Sequence, residues 1–345
     1  VAKLFFLLSG EHETLPVSEV KAILMAENYP FNVSEKLDQV LRIEADLKCV
    51  KAVEARAALT RVCGLEQFTC QAEPSQIVKA VRFLNISELL ERGESFAVRL
   101  KHVKSHAGIV DGMTLERKLG ELILNMADGA KVNLRNPDKT FIGVFTDEKF
   151  VFGLLLAQVS PKQFMERRPK KKPFFHPSAM AAKLARCMVN LSKPKPGDIF
   201  FDPFCGTGSL LVEAGLIGCR VLGVDIQKRM VKGSLKNLKY FGVHPEGLIV
   251  SDARRPPVKS VDCIATDPPY GRSASTFRLS TRHIIEESLK AAYEVLGHGK
   301  RLCIAAPKTV GVGSIGISLG YKHLESHHVY IHRGLTREIA LFEKV

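Results

Sequence analysis

Four apolar runs in the C-terminal half of the chain each end in an aspartate. Ile199-Phe200-Phe201 runs into Asp202, Val221-Leu222-Gly223-Val224 into Asp225, Ile249-Val250-Ser251 into Asp252, and Ile264-Ala265-Thr266 into Asp267. Asp202 is followed by Pro203-Phe204-Cys205-Gly206-Thr207-Gly208, a loop whose glycines let the backbone approach a ligand closely. The full dinucleotide pattern G-x-G-x-x-G is not met, because Leu211 stands where the third glycine would be. A carboxylate ahead of the loop suits a cationic or amine-bearing ligand better than a pyrophosphate. S-adenosylmethionine carries both a sulfonium and an amino group. Asp225, 23 residues after Asp202, is placed to accept from two ribose hydroxyls. Asp252 is placed to accept from the adenine amine, with the Ala253 N–H facing a ring nitrogen. The predicted cofactor contacts are therefore Asp202, Cys205, Gly206, Thr207, Gly208, Asp225, Asp252 and Ala253.

The fourth run continues as Asp267-Pro268-Pro269-Tyr270-Gly271. Prolines stop a central strand and turn the chain sharply at the sheet edge. Pro268 lacks an N–H but keeps its carbonyl, so Asp267 and that carbonyl can both accept from one exocyclic NH₂. Tyr270 offers a flat face to a base taken out of its stack. An aromatic amine is a poor nucleophile because its lone pair is delocalised into the ring. Two acceptors on its hydrogens favour pyramidalisation and the later loss of a proton. Asp267, Pro268 and Tyr270 are the predicted catalytic residues, and the chemistry needs no metal.

These residues require a sheet whose strand ends converge. Strands fit at 199–201, 220–224, 248–250, 261–266 and 301–305 with helices between them, which is an α/β parallel sheet with crossover helices. The runs near 327–331 and 338–342 flank His332-Arg333-Gly334-Leu335 and read as a terminal antiparallel hairpin. The N-terminal third reads strand 3–8, helix 17–27, two strands within 31–46, helix 50–62 and strand 65–71. That βαββαβ order is ferredoxin-like. A further α/β unit follows from about 73. It includes a helix with Leu115, Leu119, Leu122, Ile123 and Met126 on one stripe, and a long strand over 141–159 broken near Asp147-Glu148.

The chain has 345 residues, 46% apolar and 25% charged, which fits a globular protein of two or three domains. Its 50 Lys and Arg against 36 Asp and Glu leave a net charge of +14 and point to a polyanionic partner. No apolar run approaches the roughly 18–20 residues of a membrane span. The segment 1–9 lacks the basic start and cleavage site of a signal peptide. The eight cysteines form no CxxC pair, which argues against structural zinc and for free thiols in a reducing cytosol.

Together the strand-end acids and Asp267-Pro268-Pro269-Tyr270 resemble class I methyltransferases that modify exocyclic amines of nucleobases. The run Lys172-Pro173-Phe174-Phe175-His176-Pro177-Ser178-Ala179-Met180, followed by Leu184 to Leu191, is similar to the segment ahead of the cofactor loop in archaeal tRNA guanosine-10 N2-methyltransferases. The resemblance spans essentially the whole chain. It implies a ferredoxin-like domain (1–72), a THUMP domain (73–159), a basic linker (160–177) and a Rossmann-like class I methyltransferase domain (178–345). It also implies a monomeric cytosolic enzyme that binds tRNA and moves one or two methyl groups from S-adenosylmethionine to guanosine N2 at position ten. Other THUMP-bearing guanine-N2 enzymes, acting at another tRNA position or on ribosomal RNA, usually carry Asn-Pro-Pro-Tyr, so Asp267 favours position ten. An adenine-N6 methyltransferase and a non-catalytic RNA-binding protein are the alternatives.

Within 161–186 eight basic residues face Glu166 alone, net +7. Of these, Arg167, Arg168, Lys170, Lys171 and Lys172 are predicted to touch tRNA phosphates, which position an RNA without reading its sequence. Arg272, in the loop after Tyr270, is expected to reach a phosphate from a lid over the base.

Overall fold

The computed structural model describes residues 1–103, 111–270 and 280–345. The chain divides into two compact units. The first comprises Val1–Glu13, Asn28–Ala55 and Thr60–Val159; the second comprises Thr14–Glu27, Arg56–Leu59 and Ser160–Val345.

Among the described residues, the first unit holds an eight-stranded sheet of order β2-β3-β1-β4-β8-β7-β5-β6. Its strands are β1 (Ala2–Leu8), β2 (Phe31–Leu37), β3 (Val40–Ala45), β4 (Thr60–Gln71), β5 (Ser95–His102), β6 (Lys131–Val132), β7 (Lys139–Thr146) and β8 (Lys149–Gln158). The order β2-β3-β1-β4 is the ferredoxin-like arrangement, and β4 also pairs with β8, so the sheet runs on without a break. The helix predicted over 50–62 is shorter. Helix α2 (Cys49–Arg56) stops there, because Thr60 and Val62 are β-branched and pair with Leu8 and Leu7 of β1. The predicted break at Asp147-Glu148 is a tight turn with both residues at positive φ (43° and 61°). Helices α3 (Pro74–Arg82) and α4 (Gly112–Met126) bury Ile77, Val81, Leu115, Leu119 and Ile123 against the phenylalanines of β5, β7 and β8.

The second unit carries a seven-stranded sheet of order β11-β10-β9-β12-β13-β15-β14. Strands β9 (Ile199–Asp202), β10 (Arg220–Asp225), β11 (Gly247–Val250), β12 (Val261–Thr266) and β13 (Leu296–Pro307) are parallel. Strand β15 (Leu335–Lys344) runs antiparallel to β13 and to β14 (Tyr321–His332), which gives the terminal hairpin. From β9 the chain winds outward to β11 and then returns to β12 on the other side of β9. The crevice at the carboxyl ends of β9 and β12 is thus the topological switch point, where open α/β sheets bind ligands.

Helix α1 (Leu15–Ala26) belongs to this second unit and packs on α6 (Ala182–Leu191). Its Glu19 is fully buried and accepts from the N–H groups of Ala58 (3.0 Å) and Leu59 (2.8 Å) and from Asn190 Nδ2 (2.9 Å). The stretch read as a linker is folded: it contains α5 (Lys162–Glu166) and a 3-10 turn, Pro169–Lys171. Crossover helices α7 (Ser209–Gly215), α8 (Lys228–Tyr240), α9 (Thr281–Val295) and α10 (Val312–Ser318) complete the unit. Among the described residues, no helix is long and apolar enough to cross a membrane. All eight cysteines are free thiols.

Candidate active site

Strand β9 delivers Asp202 to the switch point, where it is 1% exposed. Its carboxylate accepts from the Thr266 hydroxyl across 2.7 Å and from the Phe204 N–H across 3.1 Å. Burial pushes its pKa up to about 7, against the lowering effect of those two donors, and the carboxylates of Asp267 and Asp225 raise it further. The loop after Asp202 turns back sharply. Cys205 N–H donates to the Val224 carbonyl (2.8 Å) and Gly208 N–H to the Cys205 carbonyl (2.7 Å). Gly206 and Gly208 adopt φ of 49° and 77°, the left-handed region that glycine enters without penalty. Gly208 also has no room for a side chain, because a Cβ there would lie 2.4 Å from Ser234 Oγ.

Asp225 ends β10 and accepts from Gly206 N–H (3.1 Å) and Gln227 N–H (2.8 Å). Burial raises its pKa, while those two donors and the nearby His176 lower it. Asp252 lies two residues beyond β11 and is held in a fork by Arg254, with Nε at 3.0 Å and Nη2 at 2.6 Å from its Oδ2. That hydrogen-bonded pairing keeps its carboxyl below the usual carboxylate range. Ala253 is buried beside it.

Asp267 follows directly on β12, with its side chain 16% exposed. Burial lifts its pKa to about 6 and the Arg337 guanidinium opposes that rise. The Tyr270 hydroxyl donates to Asp267 Oδ1, and Arg337 Nη2 lies 3.4 Å from Oδ2. The same guanidinium sits 5.2 Å from the centre of the Tyr270 ring, in cation–π range. Tyr270 is therefore anchored to Asp267 at its hydroxyl and faced by Arg337, a residue the sequence did not single out. Arg272 lies outside the described residues.

One open cleft joins several of these groups. Asp202, Cys205, Gly206, Thr207 and Asp267 line it, together with Ser178, Ala179 and Met180. Of the other predicted residues, Gly208, Asp225, Asp252, Ala253, Pro268 and Tyr270 stand outside that lining. Two carboxylates with raised pKa values facing one cleft form a site that a cation relieves, which fits the sulfonium and ammonium of S-adenosylmethionine.

Residues 72–154 match the THUMP domain, and residues 169–332 match the family described as RMKL-like, methyltransferase domain. The chain is 38% identical to the tRNA (guanine(10)-N2)-dimethyltransferase of Methanothermobacter thermautotrophicus, over 99% of this chain and 100% of that protein. It is 31% identical to the protein of the same name from Methanocaldococcus jannaschii, over 99% of each. The chain belongs to the archaeal tRNA (guanine-10-N2) methyltransferase family. Among solved structures, TrmN from Thermus thermophilus superposes with a TM-score of 0.56 at 19% identity, covering 99% of this chain and all of that one. SMU.472, crystallised with SAH, superposes at 0.55 with 14% identity, covering all of this chain and 98% of that one. Both likenesses bear on the fold alone.

The methyltransferase unit does not present the basic run 161–186 as a continuous charged surface. Arg167 is buried and donates to Glu213 through Nε (2.7 Å) and Nη2 (3.1 Å), and Arg186 reaches the same carboxylate at 2.9 Å. Lys172 is buried too: its ammonium donates to Ser209 Oγ at 2.8 Å, and burial pushes its pKa down to about 8. Arg167 and Lys172 are thus core ion-network residues of this family member and not phosphate contacts. Arg168, Lys170 and Lys171 remain exposed.

A second basic surface went unread in the sequence. On α8, Lys228, Lys232, Lys236 and Lys239 are all exposed, and their spacing of four, four and three places them on one face of a helix that has no acidic residue. That periodicity was available in the sequence. Phe174 ties the 3-10 turn to this helix, since its N–H donates to Asn237 Oδ1 and its carbonyl accepts from Asn237 Nδ2, each at 2.9 Å.

Proposed function

We propose that this protein transfers one or two methyl groups from S-adenosylmethionine to N2 of guanosine 10 in tRNA. The observation that carries the proposal is the shared cleft, in which Asp267 of the Asp-Pro-Pro-Tyr turn faces the same space as Asp202 and the Cys205–Thr207 loop. The full-length relatives named as guanine-10 N2-dimethyltransferases support the choice of base and position. Bound cofactor supplies an electrophilic methyl group on a sulfonium. The rest is done by residues of the chain.

Asp202 and the Gly206–Gly208 loop would hold the cationic end of the cofactor, and Asp225 its ribose. Asp252 would reach the adenine amine only after releasing Arg254. Asp267 and the Pro268 carbonyl would accept from the two N2 hydrogens and aim the nitrogen lone pair away from the ring plane. As the new C–N bond forms and the C–S bond breaks, N2 becomes cationic and must lose a proton. A carboxylate with a pKa of about 6 is ionised at neutral pH and basic enough to take or relay that proton. The Tyr270 hydroxyl keeps the carboxylate in place through its hydrogen bond. Arg168, Lys170, Lys171 and the lysine face of α8 would contact tRNA phosphates.

Nucleoside mass spectrometry of tRNA incubated with enzyme and cofactor tests the proposal. N2-methylated guanosine should appear at position 10 with the wild type, and Asp267→Asn should abolish it while the variant still binds S-adenosylmethionine, more weakly for the lost charge. Methylation on adenosine, or normal activity in Asp267→Asn, would overturn it.

A further inference from the structure

Arg337 stands apart from every residue discussed for cofactor or tRNA backbone. It lies on β15, opposite Pro307 of β13 and Val329 of β14, at the end of the sheet where Asp267 emerges. Three observations bear on it. Its Nη2 lies 3.4 Å from Asp267 Oδ2, a single loose contact and not the tight fork that an arginine makes with a carboxylate it fully engages. Its guanidinium faces the Tyr270 ring at 5.2 Å. Its Nε is buried without a hydrogen-bond partner among the described residues. Arg186 and Arg301 also have a buried Nε without a hydrogen bond among the described residues; Arg337 is set apart by its contact with Asp267, which lines the cleft.

A buried N–H with no acceptor is costly, and one beside a binding cleft is explained when the ligand brings the acceptor. The guanidinium also makes the two contacts expected of the target base: a planar group against Tyr270 with an N–H toward Asp267. When a base enters, Arg337 must give up that seat, and its donors then need acceptors at the edge of the base nearest Asp267. Guanine presents there the N2 and N1 donors and, beside them, the O6 acceptor. An acceptor carboxylate adjacent to a donor guanidinium complements that edge.

We infer that Arg337 is a specificity-determining residue that donates to O6 of the target guanine while Asp267 accepts from N2. The inference rests on the guanine-N2 function proposed above. Arginine suits the task because its charge is permanent and its donors lie in a rigid plane.

The test compares tRNA transcripts carrying guanine or 2-aminopurine at the target position. 2-Aminopurine keeps the N2 amine, lacks O6 and has lost the N1 hydrogen, so the share of the preference owed to O6 is read from its change between wild type and Arg337 variants. The wild type should prefer guanine in kcat/KM by about 10- to 100-fold, the range of one good base contact. In Arg337→Ala that preference should fall to about 3-fold or less, and Arg337→Lys should restore part of it. Cofactor binding by calorimetry, unchanged in both variants, confirms that they are folded. A preference retained in Arg337→Ala, with only the overall rate reduced, would overturn the inference and leave Arg337 as a support for Asp267. If the wild type methylates no guanosine in tRNA, the proposed function fails and not this assignment alone.

Discussion

The Thr266 hydroxyl donates to the Asp202 carboxylate across 2.7 Å and so ties the tips of β9 and β12 together. The bond does two things. It fixes the strand ends on either side of the switch point, and it supports ionisation of a carboxylate whose pKa burial nevertheless raises to about 7.

A pH dependence follows. Asp202 and Asp267 have folded-state pKa values of about 7 and about 6, both above the ordinary carboxylate value. Their contribution to stability is present in full below about pH 4 and is lost as pH rises through 6 and 7. Over the same window the cleft gains negative charge. Binding of S-adenosylmethionine should therefore tighten from pH 5.5 to 8 by more than binding of S-adenosylhomocysteine, which lacks the sulfonium. Calorimetric titration of both ligands across that range checks this. Thr266→Val removes a donor to the ionised form and should move the midpoint to higher pH. A pH-independent ratio of the two affinities would show that neither carboxylate faces the sulfonium.

The two glycines of the cofactor loop should respond unequally to alanine. At Gly208 a Cβ would sit 2.4 Å from Ser234 Oγ and 3.1 Å from Leu238 Cδ1, and φ is 77°. At Gly206 a Cβ would come no nearer than 3.6 Å to its first neighbour, Met230 Cε, and φ is 49°. Gly206→Ala should cost on the order of 1 kcal/mol, the ordinary price of the left-handed region. Gly208→Ala should cost clearly more in both stability and cofactor affinity, because strain and collision add. Ser234→Ala removes the atom that the Cβ would strike, so adding it should recover part of the loss. Thermal melts with and without cofactor separate these outcomes; equal effects at the two glycines would contradict them.

What the sequence revealed about this site, and what it hid, follows from distance along the chain. Asp202, Cys205, Gly206 and Thr207 are local: an apolar strand, an acid and a glycine turn lie within ten residues, and the structure sets them in one cleft. Asp267 joined them because the prolines after it mark the end of a central strand. Arg337 was hidden because β15 inserts beside β13 from about seventy residues downstream of Asp267, and no short motif records that pairing. Lys172 and Arg167 were misread for the same reason. Their partners, Ser209 and Glu213, come from a helix 37 and 46 residues later, and a run of basic residues does not show which members turn inward.

Glu213 is the hinge of that buried network. It is 2% exposed and carries both Arg167 and Arg186, whose side chains are 10% and 3% exposed. Removing it leaves two buried cations without their counter-charge. Glu213→Ala should destabilise the protein by about 3–5 kcal/mol, the cost of breaking a buried ion pair from one side. Glu213→Gln, which keeps the acceptor oxygen and the shape, should cost less. Denaturant unfolding followed by far-UV circular dichroism measures both. A midpoint for Glu213→Ala close to wild type would mean that the arginines find water or other acceptors.

The two exposed basic groups, Arg168-Lys170-Lys171 and the lysine face of α8, should act as one surface because Phe174 bonds the first to the second through Asn237. Gly233 permits this: a Cβ there would lie 2.0 Å from the Phe174 ring, so the ring rests directly on the helix backbone. Each lysine that meets a phosphate releases counterions and adds about 0.7–0.9 to the slope of log K against log salt. Lys232→Gln with Lys236→Gln should therefore weaken tRNA binding and flatten that slope by roughly 1.5 if both contacts are made. Lys170→Gln with Lys171→Gln should do the same, and the four changes together should add. Arg167→Gln should instead lower the unfolding midpoint, since its guanidinium is spent on Glu213. Fluorescence anisotropy with labelled tRNA from 50 to 300 mM salt gives the slopes, with S-adenosylmethionine affinity as the check on folding. Unchanged slopes in the α8 variant would make that lysine face a solvated surface and move the tRNA elsewhere on the protein.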